Sequence, residues 1–406
     1  MIFATDGVIP LLQSWAGAFP IWLLYAGACV GHGFWMIVAL NLYYSYPLPH
    51  RLLKFTRRVD LLIVLAGPFF FAYAFDLFQT AQLSWQAGTV RFYLEIYGVF
   101  CAFMGLVVAP LAEIKYLLRR SAPQVIAEKV DTLDVSGVLG YAPIGRTKHS
   151  RKCLLPGNQV FQVEFVEKTL ELPNLPLAWD GLTILHLTDL HLCGTPDRDF
   201  YKVVLERCQA WGAADIVAVT GDVVDSDRHH RWILPLLGRL SWKEAALAIL
   251  GNHDKIHLPD LVRRRLRRAK YRVLDNRWET ITVRGEPMVV VGHEGPWFRP
   301  VPDLTGMPAE PFKLCLSHTP DNLPWAKRHK MNLMLAGHVH GGQIRLPVLG
   351  SVFVPSRFSR HYDCGTFYEA PTVMHVGRGL AGQQPLRFFC KPEVTLLRLV
   401  KAKEEA

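Results

Sequence analysis

The sequence predicts a layered α/β domain preceded by a region of three membrane-spanning helices. Two observations carry this expectation. Apolar stretches of near-spanning length crowd into the first 120 residues, and five short apolar runs farther along each break off at Asp, Asn or His. The chain has 406 residues, half of them hydrophobic, which leaves room for two domains.

The apolar stretches run from about Pro20 to Tyr46, from Leu61 to Phe78 and from Tyr93 to Leu118. Crossing a hydrocarbon core takes about 20 helical residues, and these stretches show almost no polar face. The first lacks a basic leader and is too long for the apolar part of a signal peptide. Basic residues set the expected orientation. No Lys or Arg precedes the first stretch. Arg51, Lys54, Arg57 and Arg58 follow it, Arg91 stands alone after the second, and Lys115, Arg119 and Arg120 close the third. The expectation is a multi-pass protein of the inner (cytoplasmic) membrane, amino terminus outside, with everything after Arg120 in the cytoplasm. His32, inside the first stretch, reads either as a functional group or as a hydrogen-bonded structural one.

Residues 121–155 are polar and punctuated by Gly and Pro, as expected of a connector, and the globular domain is placed at 156–401. Its first strand is announced by the alternation of "QVFQVEFVEKTLEL" (159–172). The runs "LTILHLTDLH", "ADIVAVTGDVVD", "AALAILGNHD", "PFKLCLSH" and "LMLAGHVH" then read as strands buried on both faces. They deliver, in turn, Asp189 and His191; Asp222 and Asp225; Asn252, His253 and Asp254; His318; and His338 and His340. Taken singly, each such residue reads as a turn, a cap or a satisfied core group. Together, at five successive strand ends, they form a constellation where layered α/β folds gather ligands. Carboxylate, amide oxygen and imidazole suit hard and borderline divalent cations. Two such cations about 3.5 to 4 Å apart clamp the oxygens of an in-line displacement at phosphorus. Glycines beside these residues are expected to admit metal and phosphate close to the backbone.

The eight cysteines are scattered without a CxxC pair and read as reduced thiols. The net charge of +10 points to acidic partners, either anionic lipid or phosphorylated substrates.

In order, the motifs "DLH", "GD", "GNHD", "SH" and "GHVH" resemble those of the calcineurin-like metallophosphoesterases, which read D-x-H, G-D, G-N-H-D/E, a lone His and G-H-x-H. The resemblance covers about residues 155–400. With "GHVHGGQIRLP" and the closing "VGRGL" to "RFFCKPEVTLLRL", it is similar to the branch holding membrane-associated bacterial members. It implies a four-layer αββα sandwich and two divalent metal ions, manganese or iron, perhaps with zinc. Asp189, His191 and His340 would hold the first metal, Asn252, His318 and His338 the second, and Asp222 would bridge them. Water would attack phosphorus while His253 protonates the departing oxygen. A carboxylate would orient that acid, Asp225 in the first place and Asp254 as the alternative. Phosphoprotein phosphatases of the superfamily carry Arg directly after the second Asp of G-D-x-x-D, whereas this chain has Ser226. That departure favours a diester or pyrophosphate over a phosphoprotein.

The implied activity is hydrolysis of a phosphodiester or pyrophosphate bond in a membrane nucleotide-lipid such as UDP-2,3-diacylglucosamine. A soluble nucleotide or cyclic-nucleotide phosphodiesterase is the enzymatic alternative. A non-catalytic membrane scaffold is the other alternative, and the filling of every motif position argues against it. In "HLPDLVRRRLRRAKYR", Leu258, Leu261, Val262, Leu266 and Ala269 share one face of an expected helix and basic residues fill the rest. This reads as a solvated face or as a patch for anionic headgroups. It lacks the interleaved aromatics of a nucleic-acid groove. Trp297 and Phe298 either line a pocket or pack a loop, and Arg378 either meets substrate phosphate or caps a strand end.

Overall fold

The computed structural model describes residues 8–75, 77 and 85–402, and the chain divides into two compact units at Arg119–Arg120. The amino-terminal unit holds α1 (Val8–Ser45), α2 (His50–Ala74) and α3 (Trp85–Phe103), the last running through a π turn at Met104–Val108 into α4 (Ala109–Leu117). Glycines let its helices cross closely. A Cβ on Gly31 would lie 1.9 Å from the Cys101 carbonyl, and one on Gly105 would lie 2.0 Å from that of Gly27, the small-residue packing typical of helices in lipid. His32 is structural. Its Nδ1 lies 2.7 Å from the Tyr97 hydroxyl and its Nε2 is 3.1 Å from the Ile63 carbonyl, so one ring joins α1, α2 and α3.

Among the described residues, two helices of this unit, not three, are long and apolar enough to cross a membrane: Pro20–Ser45 and Phe92–Leu117. The second expected span falls short. Asp76 and Phe78, at its end, lie outside the described residues. The uncharged part of α2, Leu61–Ala74, reaches only about 21 Å at 1.5 Å per residue, against a core of about 30 Å.

The second unit is built on two sheets. β1 (Val125–Asp134), β2 (Gln162–Leu172), β3 (Leu182–Leu187), β4 (Ala214–Thr220), β5 (Trp242–Ile249), β6 (Arg272–Val273) and β15 (Glu393–Lys401) form the first, in the order β1-β2-β15-β3-β4-β5-β6. β7 (Trp278–Val283), β8 (Glu286–His293), β9 (Phe312–Ser317), β10 (Leu333–Ala336), β13 (Gly365–Glu369) and β14 (Thr372–Val376) form the second, in the order β13-β14-β10-β9-β8-β7. β11 (Arg345–Leu346) and β12 (Gly350–Ser351) make a separate hairpin. Between the sheets, Ile184, Ile216, Leu247 and Leu397 of the first meet Val290, Leu314 and Leu335 of the second in one core. On the outer face of the first sheet lie α5 (Arg198–Gln209) and α6 (Pro259–Arg268), burying Phe200, Val204, Val262 and Leu266. On the outer face of the second lies the short helix Leu323–Arg328, burying Leu323 and Ala326. The result is four layers, helix–sheet–sheet–helix.

Local sequence accounts for the elements that set the site. β4 is buried at every residue, as its unbroken apolar run requires, while β2 alternates. Asp197 caps α5 by accepting from the Asp199 and Phe200 amides. β1 lies within the expected connector yet pairs along β2 as an edge strand. Nearly all its side chains are exposed, so it carried no hydrophobic pattern to betray it. α6 buries a narrower stripe than expected, since Leu258 is exposed at its amino-terminal end. All eight cysteines are free.

Candidate active site

All five apolar runs that end in polar residues are strands, and their carboxyl ends converge. β3, β4 and β5 are parallel neighbours in the first sheet, and β9 and β10 are parallel neighbours in the second. The turns leaving them are tightly wound. Asp189, His191, Asp222, His338 and His340 all have positive φ, from 43° to 71°, a region few non-glycine residues enter and where strain collects at functional sites. Backbone bonds hold these turns against one another. The Asp189 amide donates to Gly221 and the His191 amide to Asp222. The His338 amide donates to Asp189 Oδ2 at 2.9 Å, tying the second sheet to the first.

The neighbouring glycines serve this packing in a way the sequence did not foretell. A Cβ on Gly337 would sit 1.9 Å from Thr188 Oγ1 and 2.4 Å from Asp189 Oδ2, and one on Gly251 would sit 2.2 Å from Asp222 Oδ1. These glycines make room for the acidic side chains themselves.

The polar atoms face one another across two adjoining gaps. His191 Nε2 lies 3.2 Å from His340 Nε2, 3.8 Å from Asp189 Oδ1 and 3.6 Å from Asp222 Oδ2. On the other side, His318 Nε2 lies 3.4 Å from Asp222 Oδ2 and 3.0 Å from Asn252 Oδ1. Asp222, His318 and His338 offer ligand atoms within 4.8 Å of one another, and so do Asp189, His191 and His340. Asp222 Oδ2 thus faces both gaps.

Donors are missing where these atoms meet. His318 Nδ1 lies 2.8 Å from the Thr220 carbonyl, which can only accept, so a ring proton sits there and Nε2 is turned toward two oxygens. Asp189 Oδ1 and His338 Nε2 are buried without any hydrogen-bond partner, an arrangement that costs stability unless something else satisfies them. Burial and neighbouring positive groups hold His338 and His340 well below the usual histidine range, as neutral rings with free lone pairs. Burial works against charge on His318 too, but Asp222 raises it to about 9. The site therefore calls for positive charge, and the donor set fits two divalent cations.

At the edge of the gaps, His253 Nδ1 lies 2.7 Å from Asp225 Oδ1. Burial opposes its charge, but Asp222 and Asp225 prevail and raise it to about 10. Asp225 is held well below the usual carboxylate range by His253 and His191, against its burial. Asp254 does a different job: it accepts from the amides of Val223, Val224 and Gly251, fastening one turn to the other.

Trp297 is buried with its ring 4.6 Å from His338 and 5.4 Å from His318, so it lines the site. Phe298 turns away to pack under Arg263. Arg378 is bound by Glu164 and Glu393 and points away from the gaps. Two residues escaped the sequence reading. Arg387, fully buried, donates to the carbonyls of His340, Gly379 and Ala381. His257 bridges Asp225 at 3.5 Å and Asp227 at 3.0 Å. Arg387 stands alone in "PLRFF" with no local signal. His257, four residues after His253, was in principle legible as its helical neighbour.

Comparison with known proteins agrees with this geometry. Residues 182–342 match the family model for calcineurin-like phosphoesterases. The chain is 30% identical to the Bacillus subtilis metallophosphoesterase YkuE, over 58% of this chain and 85% of that one. It is 30% identical to the Escherichia coli phosphodiesterase YaeI, over 46% and 70%. It is 24% identical to the UDP-2,3-diacylglucosamine pyrophosphatase LpxG of Chlamydia muridarum, over 54% and 83%.

Proposed function

The chain belongs to the calcineurin-like phosphoesterases and is a metal-dependent hydrolase of phosphoric ester or pyrophosphate bonds, and from that premise we propose that its substrate is a membrane-embedded phosphodiester or pyrophosphate, with UDP-2,3-diacylglucosamine the first compound to test. The observation that carries the site assignment is the shared Asp222 carboxylate between two sets of unsatisfied donors. Asp189, His191 and His340 would hold one cation and Asn252, His318 and His338 the other, with Asp222 placed to serve both. When bound, such a pair polarises the phosphoryl group and activates water for in-line attack; manganese or iron suits the mixed oxygen and nitrogen set.

The chain's own residues do the rest. Asp225 fixes the His253 ring through Nδ1 and keeps a proton on Nε2, from which it passes to the departing oxygen. Trp297 covers the His318 and His338 side and keeps bulk water out. Arg387 braces the His340 carbonyl from behind, holding the second turn in register.

The membrane assignment rests on Pro20–Ser45 and Phe92–Leu117, helices able to cross a bilayer. On this reading the chain is a membrane protein that crosses the bilayer twice, with residues 156–401 the catalytic domain on the same side as the amino terminus. The similarity to LpxG supports a nucleotide-lipid, and the similarity to the phosphodiesterase YaeI supports cleavage of a diester, which the second reading, a soluble nucleotide or cyclic-nucleotide phosphodiesterase, shares.

The test uses the full chain in lipid nanodiscs with added manganese. Turnover of both bis-p-nitrophenyl phosphate and UDP-2,3-diacylglucosamine, lost in Asp222→Ala, is the expected result. Turnover of the soluble diester alone would move the assignment to the second reading. Absence of both, with metal bound, would refute the enzyme.

A further inference from the structure

The apolar hairpin that follows His340 is exposed, and nothing in the reaction accounts for it. β11 and β12 carry Leu346, Val348 and Leu349 on a turn, with Val348 77% and Leu349 48% exposed. Ile344 pairs with Phe388, the Arg345 amide donates to the Phe388 carbonyl, and Phe389 beside it is 66% exposed. Leu154, 70% exposed, lies in a neighbouring segment. Asn158 donates to Lys152 and Pro385, and Lys152 Nζ reaches Gln384, so this segment is bonded to the one holding Phe389. Exposed side chains of this size, gathered from three segments, mark an interaction surface.

Charge indicates what the surface meets. Residues 141–162, 338–362 and 377–392 contain ten Lys and Arg and no Asp or Glu. Some of these are answered by carboxylates lying directly beyond these bounds, as Arg345 is by Asp363 and Arg378 by Glu393. Arg146, Lys148 and Arg151 are exposed and in no ion pair among the described residues. Apolar tips rimmed by unanswered positive charge suit an anionic bilayer, where apolar side chains enter the interface and each basic residue near the surface adds attraction. α6 is the weaker candidate, because its Arg263 and Arg267 are already bound to Asp275 and Glu294.

We infer that the β11–β12 hairpin, with Phe389 and Leu154, docks the mouth of the active site onto the surface of an anionic phospholipid bilayer. The inference rests on the proposed membrane reading and deepens it: a headgroup diester or pyrophosphate would reach the site from the bilayer surface. His340 lies only four residues before Ile344, so the docked face and the proposed metal ligands share one loop.

The test is hydrogen exchange of the full chain in nanodiscs of phosphatidylcholine alone and with roughly one-third phosphatidylglycerol. Amides of 344–353 and 386–391 should exchange about ten-fold more slowly in the anionic discs. The slowing should shrink in about 0.5 M salt and vanish in a Val348→Ser, Leu349→Ser, Phe389→Ser variant. Unchanged protection of β3 and β4 would show that variant folded. Equal exchange in both discs overturns the inference. So does slowing that rises with protein concentration and ignores lipid charge, which would mark a contact between copies. Incorporation into the discs is read separately: a chain that fails to incorporate defeats the membrane reading itself.

Discussion

His253 shows how one residue's surroundings decide its chemistry. Asp225 grips its Nδ1 and, with Asp222, keeps the ring protonated, as a proton donor requires. His253→Ala should lower kcat by about 100-fold or more while metal content, read by plasma emission, stays at the parent level. The loss should be smaller for nitrophenyl than for alkyl esters, since a good leaving group needs less help. Metal loss on the same scale would recast His253 as a ligand. Gly337 makes the converse point, because its role is to be absent. Gly337→Ala would push against Thr188 and Asp189 at distances no Cβ tolerates, so metal affinity and turnover should fall together, each by roughly ten-fold or more. Normal metal titration would sink that account. These residues were legible in sequence as motif members, but their reasons were not. The positive φ angles and the crowding at Gly337 exist only once β3 and β10 are brought side by side.

At the scale of elements, the sequence announced five strands buried on both faces and missed others, among them β14, buried at every residue, and β1, whose faces are mostly wet. β3, β4, β5, β9 and β10 end where their apolar runs end. β1 has no such run, because an edge strand hydrogen-bonds through its backbone and leaves its side chains in water. The charged helix α6 was legible as amphipathic, but its pairing was hidden. Arg263 grips Glu294 through two nitrogens, at 2.9 and 2.7 Å, and Glu294 also accepts the Leu250 amide beside the Asn252 turn. Glu294→Ala would leave the Leu250 amide without its partner and Arg263 with Asp275 alone, which costs about 1–3 kcal/mol. A lowered urea midpoint with an unchanged slope is expected. A shift under about 1 kcal/mol would mean that Asp275 alone satisfies Arg263.

At the scale of the catalytic unit, the two sheets enclose a polar pair within an apolar seam. His186 of β3 and His375 of β14 meet edge to face with centroids 5.5 Å apart, each bonded to a threonine hydroxyl. Burial lowers His186 to about 4, and His375 is lowered as well. The unfolded chain therefore takes up protons near pH 6.5 that the folded one refuses. Stability from this source is complete above pH 6.5 and drains away as the pH falls toward 4. His186→Gln should flatten that slope in urea midpoints measured from pH 7 to pH 5, and a parallel slope would show that other groups govern it. The four layers and the gathering of motifs were open to a reader of the sequence, whereas this pair was not, since nothing near either histidine predicts that they meet. The same seam gives the shared Asp222 a mechanical meaning. Three of the turns around it belong to one sheet and two to the other, so any ion lodged there is a rivet through both plates. Chelation would then do more than silence the enzyme: it would let the plates creep, and a substitution deep between them could be felt first as a loosened grip on metal.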